Sequence, residues 1–347
     1  MTILHPNMFP DGFTDEEHLE EFMSVPSQAL IDDMGRIEGD IIILGVGGKM
    51  GVTLARQAKR AAPDKRIVGV ARFSEPGVKE RLESWGVETI NCDLLDRDDV
   101  ARLPKLPNAI YMAGKKFGTD GAESFTWAMN THCPAIVAEA FAKSRIVVFS
   151  TILVYANSPT IGQGSVESDP PYAMQGEYSN SCVGRERMFE YYSRINVTPM
   201  RALRLCYCID MRYGVFQEVA SKVFKGETVD LSAGHVNVIW QGDANAQAIR
   251  SLLHCTAPMS HINISGVETL SIRALAKSFG KRFGKEPVFA GGEVDSICLV
   301  NGGLAASLFG YPMVPNDRMV DWVADWVARD MPIWNKPCHY DTLNGVY

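Results

Sequence analysis

The sequence predicts an α/β protein with a doubly wound parallel sheet and a smaller, mixed α/β domain that binds substrate. Short apolar runs alternate with helical stretches along the first two thirds of the chain, which is typical of parallel strands joined by right-handed crossovers. The first run, Ile41 to Leu44, is apolar at every position, as expected for a strand buried on both faces. A glycine-rich turn follows it and leads directly into a helix-forming stretch.

The glycines of that turn have the spacing Gly45-x-x-Gly48-x-x-Gly51. Between a buried strand and a helix, such glycines permit a sharp turn, close approach of the backbone to a pyrophosphate, and close packing of helix on strand. The N-terminus of the helix then offers free N–H groups and a positive dipole end to phosphate. We therefore predict that this turn binds a dinucleotide through Gly45, Gly47, Gly48, Lys49, Met50 and Gly51.

The remaining elements follow in order. Apolar runs predict strands at 41–44, 66–71, 87–92, 108–113, 145–150 and 199–207, and the longest helical stretches lie at 121–143 and 178–195. A further strand at 236–240 and a helix at 242–254 are expected to return to the sheet, whereas a strand at 261–265 is assigned to the second domain. The predicted dinucleotide-binding domain is thus 39–205 with 235–254, and the substrate-binding domain is 206–234 with 255–347.

Residues 1–38 precede the first strand and are predicted to form a helical arm. Thr14, followed by three acidic residues, and Ser27 are typical helix-start signals. The arm either packs over the core or contributes to a dimer contact.

The composition restricts the class of protein. The chain has 347 residues and a net charge of −7 without a basic cluster, which argues against a nucleic-acid or anionic-membrane partner. No apolar run approaches the ~18 residues of a membrane span, and the polar N-terminus is not a signal peptide. The eight cysteines form no C-x-x-C pair and the seven histidines no H-x-x-x-H pair, so we expect no metal site and a cytoplasmic protein.

The end of the second strand indicates which dinucleotide is bound. An acidic residue there would accept hydrogen bonds from the adenosine ribose, but the strand ends in Ala71 and is followed by Arg72, whose guanidinium suits a 2′-phosphate. We therefore favour NADP, with NAD as the alternative and a solvated loop arginine as the plainer interpretation of Arg72. Asp93 and Leu94 follow the third strand, where Asp93 either holds the adenine amino group or caps a turn.

Two segments at the predicted ligand crevice carry hydroxyl groups. Ser150-Thr151-x-x-Val154-Tyr155 follows the fifth strand, and Tyr178-Ser179-x-Ser181 begins the long helix. Together with the glycine turn they resemble the extended short-chain dehydrogenase/reductases, the NAD(P)-dependent sugar epimerase/dehydratase group, over residues 40–326. The resemblance implies a Rossmann fold, a cofactor contact by the loop with Ala113, Gly114 and Lys116, and the family's helix asparagine at Asn130.

The resemblance also shows one departure, because the family's Tyr-x-x-x-Lys is Tyr178-x-x-x-Cys182 here. In the family the lysine stands one helical turn, ~6 Å, from the tyrosine, lowers the phenol pKa and hydrogen-bonds the nicotinamide ribose. A neutral thiol does none of this, so we interpret Cys182 as a small packing residue at the cofactor position. Arg185, on the same helix face, or Lys116 would replace the cation, unless the first is only solvated and the second binds only phosphate.

The resemblance implies an NAD(P)-dependent epimerase/dehydratase-type oxidoreductase that acts on a sugar, sugar acid or nucleotide sugar. Tyr178 would move the proton, Thr151 would orient the substrate oxygen, and Arg185 would supply the charge. The alternative is a dinucleotide-binding sensor without dehydrogenase activity, and a third interpretation routes the chemistry through Lys116, Arg185 or Cys182. The helices at 121–143 and 178–195 would form the interface of a homodimer.

Overall fold

The fold is described by a computed structural model for residues 2–173 and 176–341. Its strands are β1 (Ile41–Leu44), β2 (Ile67–Ala71), β3 (Glu88–Asn91), β4 (Asn108–Tyr111), β5 (Arg145–Thr151), β6 (Ser158–Pro159), β7 (Met200–Leu205), β8 (Tyr207–Ile209), β9 (Thr228–Asp230), β10 (His235–Val236), β11 (Val238–Trp240), β12 (Ser260–Ile264), β13 (Leu270–Ser271), β14 (Val288–Ala290) and β15 (Ser296–Ile297).

The α-helices are α1 (Glu16–Met23), α2 (Gln28–Arg36), α3 (Gly51–Ala61), α4 (Val78–Ser84), α5 (Arg97–Arg102), α6 (Glu123–Trp127), α7 (Cys133–Ala140), α8 (Glu177–Asn196), α9 (Val215–Lys225), α10 (Gln241–Arg250), α11 (Ile272–Phe283), α12 (Gly303–Phe309) and α13 (Asn316–Ala328). A π-helical turn, Ala128–His132, joins α6 to α7. Within the described part of the chain, no helix is both long and apolar enough to cross a membrane.

Seven strands form one parallel sheet in the order β12-β7-β5-β4-β1-β2-β3, and this confirms the predicted doubly wound α/β fold. The four residues of β1 are buried because the strand lies in the interior of the sheet, between β2 and β4. The chain reverses its direction of winding between β1 and β4. At such a switch point the loops leave the carboxyl ends of the strands in opposite directions and open a crevice for a ligand.

Two predicted strand assignments were wrong. The strand assigned to the second domain, β12, pairs in parallel with β7 and extends the main sheet. The segment expected to return to that sheet instead forms β10 and β11, of which β11 pairs with β8 in a separate two-stranded sheet. Apolar alternation predicted extended structure in both segments, but it carries no information about which neighbour each one pairs with.

The first part of the N-terminal arm, through α1, packs into a second apolar core outside the main sheet, whereas Leu30 and Met34 of α2 pack into the core that contains β1. The rings of Phe13 and Phe22 lie 5.0 Å and 5.3 Å from that of Trp322 on α13. Ser27 caps α2, as expected, while α1 is capped by Asp15 instead of its neighbour Thr14. The arm is therefore an integral part of the core, and this packing holds the acidic residues of α1 in a defined position.

Candidate active site and cofactor cavity

The glycine turn after β1 has the geometry that a dinucleotide requires. Gly45 has a φ of +95°, and a Cβ there would lie 2.6 Å from the backbone nitrogen of Ala113. A Cβ at Gly51 would lie 2.3 Å from the carbonyl oxygen of Val46, so only glycine lets α3 start this close to the strand. Around Gly48, by contrast, the position of a Cβ is open apart from an ordinary contact at 3.7 Å, and no side chain caps α3. A phosphate can therefore approach the backbone at Gly48 and the free N–H groups at the start of α3.

A cavity of ≈ 1070 Å³ begins at this turn and runs along the carboxyl ends of the strands. That volume is at the upper end of the range for small-molecule sites. The predicted site residues that line it are Gly45, Gly47, Gly48, Lys49, Met50, Gly51, Gly114, Lys116, Thr151, Tyr178 and Arg185. Residues far apart in sequence therefore meet on one surface, which extends from the glycine turn to the start of α8.

Three predicted adenosine contacts lie outside the described wall of the cavity. Arg72 is exposed on the loop after β2. Asp93 caps its own turn, with Oδ1 accepting from the backbone N–H of Leu95 at 3.0 Å. Leu94 is buried in the apolar core on one face of the sheet. The turn-capping alternative thus describes the contact that Asp93 makes, and the roles of all three towards a cofactor stay predictions.

The two predicted catalytic hydroxyl residues are buried at the cavity wall. Thr151 ends β5, and its Oγ1 accepts from the backbone N–H of Leu153 at 3.3 Å, which leaves the hydroxyl hydrogen available to a substrate oxygen. Tyr178 lies in the first turn of α8 and is also buried. Both residues therefore line the same cavity, and their catalytic roles stay predictions.

Cys182 is fully buried behind Tyr178 and does not line the cavity. Burial raises the pKa of its thiol, although Arg185 and a hydrogen bond with Tyr178 act in the opposite direction. The thiol consequently stays neutral at ordinary pH, and it cannot supply the charge that the family's lysine provides.

Arg185 is the cation that lies near Tyr178 on α8. Its Nη1 donates to the carbonyl oxygen of Phe149 at 2.9 Å, and its Nη2 donates to Oδ1 of Asn130 at 2.7 Å. These bonds hold the buried guanidinium against Gly114, where a Cβ would lie 2.4 Å from Nη2. Its Nε has no hydrogen-bond partner within residues 2–173 and 176–341. A buried N–H without a partner is costly, so the other two hydrogen bonds and the close packing have to hold this side chain in place.

Asn130 positions this guanidinium from the π-helical turn. Its Oδ1 also accepts from the backbone N–H of Lys115 at 2.8 Å, and its Nδ2 donates to the Lys115 carbonyl oxygen and to Ser181 Oγ. The Asn130 side chain is buried and does not line the cavity. Ala113 does not line it either, and packs against Gly45 of the glycine turn. π-helical turns frequently occur at functional sites, and this one ties the loop after β4 to α8.

The sequence did not reveal two segments that complete the cavity. Glu16 and Glu20 of α1 line one part of it and contact Arg81 and Arg212. Trp334, Lys336 and Cys338, near the C-terminal end of the described chain, line another part. No local pattern marks either segment, because both are brought to the cavity by packing in the second core. Within the described ranges, no group of three or more His, Cys, Asp or Glu side chains could hold a metal ion.

Solved structures with the same fold cover most of the chain. The UDP-glucose 4-epimerase of Thermus thermophilus, solved with NAD, is 17% identical, covers 83% of this chain and 99% of its own, and superposes with a TM-score of 0.68. The UDP-glucuronic acid 4-epimerase of Bacillus cereus, solved with UDP-glucuronic acid and NAD, is 17% identical, covers 84% and 99%, and has the same TM-score. MoeE5, solved with UDP-glucose and NAD, is 18% identical, covers 84% and 99%, and has a TM-score of 0.66.

A family model gives the assignment that these low identities cannot give alone. No curated protein matches the sequence significantly. The model of the NAD dependent epimerase/dehydratase family, however, matches residues 41–255, which include the glycine turn, Thr151, Tyr178 and Arg185. This match spans more than half of the chain and confirms the resemblance. The protein belongs to the NAD dependent epimerase/dehydratase family.

Proposed function

We propose that the protein is an oxidoreductase of the epimerase/dehydratase type that uses a nicotinamide dinucleotide to modify a sugar, a sugar acid or a nucleotide sugar. The observation that carries the proposal is that Thr151, Tyr178 and Arg185 line the cavity that begins at the glycine turn. When bound, the nicotinamide ring accepts or returns a hydride. Thr151 would then hold the substrate oxygen, and Tyr178 would take or return its proton.

In this proposal Arg185 provides the positive charge that Cys182 cannot. A guanidinium stays protonated at any ordinary pH, so its field favours the phenolate form of Tyr178. The guanidinium also lines the cavity wall, so its charge acts on a ligand bound there. Because two of its nitrogens are held by Phe149 and Asn130, the charge is fixed in place.

We favour NADP as the cofactor because Arg72 follows β2 and is exposed. The relatives described above were solved with NAD, so the two dinucleotides should be compared directly by calorimetry. NADP is expected to bind more tightly, and Arg72→Ala should remove that advantage while leaving the affinity for NAD unchanged. Tighter binding of NAD by the wild type would contradict this preference.

The central experiment follows nicotinamide absorbance with a panel of sugars, sugar acids and nucleotide sugars. Substituting Tyr178→Phe should lower turnover by roughly 10²–10⁴-fold, the usual contribution of a general acid–base group, without changing the dissociation constant for the dinucleotide. Turnover that is equal in both proteins would refute the role of Tyr178. Tight dinucleotide binding without any turnover would instead favour the sensor.

Arg185 is tested against a neighbour on the same helix. Arg187 is exposed and paired with Glu190 at 2.8 Å, so Arg187→Met is the matched control for Arg185→Met. Only Arg185→Met should slow turnover and move the pH–rate profile to higher pH, because a phenol without a nearby cation ionises later. Adding Cys182→Lys to Arg185→Met restores the family's lysine and should recover activity. Failure of this rescue, with both variants folded, would argue against replacement of the lysine by Arg185.

The proposal includes a cytoplasmic homodimer. Helices α6 and α8 expose Phe125, Trp127, Tyr191 and Ile195, and apolar side chains of this kind are what a helical interface buries. Light scattering of the wild type and of Tyr191→Glu with Ile195→Glu would test it, and a monomeric wild type would exclude it.

A further inference from the structure

Two lysine side chains meet at Tyr213 inside the cavity. Lys49 Nζ lies 4.1 Å from the centre of the Tyr213 ring, and Lys116 Nζ donates to the Tyr213 hydroxyl oxygen at 3.2 Å. All three residues line the cavity, so a ligand bound there would contact them. Lys49 and Lys116 come from the loops after β1 and β4, the two strands that flank the switch point.

Neither ammonium has a carboxylate partner among the residues that the structure describes. Lys49 donates to the carbonyl oxygen of Cys208 at 3.0 Å, and Lys116 reaches that of Cys338 at 3.5 Å. The carboxylates whose charge acts on the two lysines, Asp210 on Lys49 and Glu218 on Lys116, have other partners. Asp210 pairs with Arg212 at 2.8 Å, and Glu218 accepts from the backbone N–H of Cys338.

Placing two cations side by side in a partly desolvated wall without a counter-ion is unfavourable. Burial lowers the pKa of Lys49, and together with the charge of Lys49 it lowers the pKa of Lys116 to about 8. Burial raises the pKa of the Tyr213 phenol, so the hydroxyl keeps a hydrogen that it can donate. The cluster therefore offers two ammonium groups and one O–H donor to whatever occupies the cavity.

We propose that Lys49, Lys116 and Tyr213 form a subsite for a carboxylate or phosphate group of the substrate. The proposal rests on the proposed function, since it concerns the substrate half of the same cavity. An anion would supply the missing counter-charge and would accept from all three donors. Neutral sugar hydroxyls could accept hydrogen bonds but would leave both ammonium groups without a counter-charge.

The position of the cluster argues for the substrate and against the dinucleotide phosphates. The backbone of Lys49 lies in the glycine turn, but its side chain leaves that turn and bonds to Cys208 on β8, across the cavity. Lys116 lines the same cavity as Thr151 and Tyr178. The bound anion would thus lie close to the reacting end of the substrate.

The C-terminal segment encloses this subsite. The backbone N–H of Trp334 donates to the carbonyl oxygen of Arg212 at 3.0 Å, and the Trp334 ring lies 6.2 Å from that of Tyr213. The exclusion of water by this aromatic wall strengthens the attraction between the lysines and a bound anion.

The test uses two probes that differ only in one carboxylate, UDP-glucuronic acid and UDP-glucose, titrated by calorimetry into protein saturated with dinucleotide. The wild type should bind the acid about tenfold to a hundredfold more tightly, as expected for hydrogen bonds to a charged group. Lys49→Met and Lys116→Met should each remove most of this difference, and Lys116→Arg should keep it. The control is Lys105→Met, because Lys105 also donates to backbone carbonyls and lies 5.0 Å from an aromatic ring, that of Phe141, but away from the cavity.

If the subsite binds a phosphate of the substrate and not a carboxylate, the affinities should follow a different pattern. Both probes would then bind alike, inorganic phosphate would compete with them, and both cavity variants would weaken both probes while the control would not. The proposal is overturned if the cavity variants fold, as shown by their melting temperatures, and bind every anion as the wild type does. A loss confined to dinucleotide affinity in Lys49→Met would also overturn it. Failure to bind a dinucleotide at all would instead refute the proposed function.

Discussion

The charged pair of Glu186 on α8 and Arg204 on β7 is buried, whereas Lys49 and Lys116 lie in the cavity wall. The two sets of charges differ in how many of their polar partners the protein itself supplies. Arg204 donates to both carboxylate oxygens of Glu186, at 3.2 Å and 2.9 Å, and Ser150 donates to the first at 2.6 Å. Burial alone would raise the pKa of Glu186, but hydrogen bonds from His261 and Arg204 bring it to about 2.

The difference separates structural charge from charge that awaits a ligand. The side chains of Glu186 and Arg204 are only 2% and 1% exposed, and each has several polar partners, so no ligand is needed to stabilise them. The two lysines face the cavity with carbonyl and aromatic partners, and no carboxylate among residues 2–173 and 176–341 pairs with them. Consecutive residues of α8 show the same division, because Arg185 lines the cavity while Glu186 points into the core network.

The largest effect is expected from breaking the satisfied pair. Glu186→Gln keeps the side-chain volume but leaves Arg204 buried without its counter-charge, so the free energy of unfolding in urea should fall by about 3–5 kcal/mol. Replacing both partners, with Glu186→Leu and Arg204→Met, should cost much less because no buried charge remains. A loss below about 1 kcal/mol in the single variant would contradict the assignment of this pair as structural.

The opposite sign is expected for the unsatisfied charge. Lys116→Met removes a partly desolvated cation and keeps an apolar chain of similar length, so the protein without ligand should become more stable at pH 7. Each tenfold lowering of proton affinity corresponds to about 1.4 kcal/mol, and allowing for water in the cavity we expect a gain of about 2 kcal/mol. A loss of stability would mean that Lys116 is a structural residue and would weaken the anion subsite.

This gain should depend on pH in a defined window. The folded-state pKa of Lys116, about 8, lies below its ordinary value of 10.5, so the unfolded chain binds more protons between these limits. The penalty is complete below pH 8 and disappears as pH rises to 10.5. The stability difference between Lys116→Met and the wild type should therefore shrink across that window. A difference that is constant with pH would show that packing, not charge, is responsible.

Much of the fold could be predicted from the sequence because the signals are local. A strand that is apolar at every position, as β1 is, indicates a place inside a parallel sheet, and a glycine turn between such a strand and a helix indicates nucleotide binding. The neighbour of β12 could not be predicted, since its pairing with β7 depends on tertiary contacts that short alternating segments do not encode.

The site divides in the same way. Thr151 was identifiable because it ends a strand at the crevice, and Tyr178 because its segment resembles a motif of the family. Tyr213 and Trp334 were not, because packing of the short connection between β8 and α9 and of the C-terminal segment brings them to the cavity. The acidic residues of α1 reach it only because Phe13 and Phe22 dock on Trp322. No spacing rule connects positions more than two hundred residues apart.

The smallest effect is expected for an ion pair with good geometry but little burial. Arg66 donates to both oxygens of Glu88 at 2.7 Å, as closely as in the buried pair, but the two side chains are 43% and 44% exposed. Water already solvates both groups, so Glu88→Gln should lower the free energy of unfolding by no more than about 0.5 kcal/mol, and 1 M salt should remove the difference. A loss comparable to that of Glu186→Gln would show that hydrogen-bond geometry, and not burial, sets the energy of these pairs. The distinction between satisfied and ligand-dependent charge would then lose its physical basis.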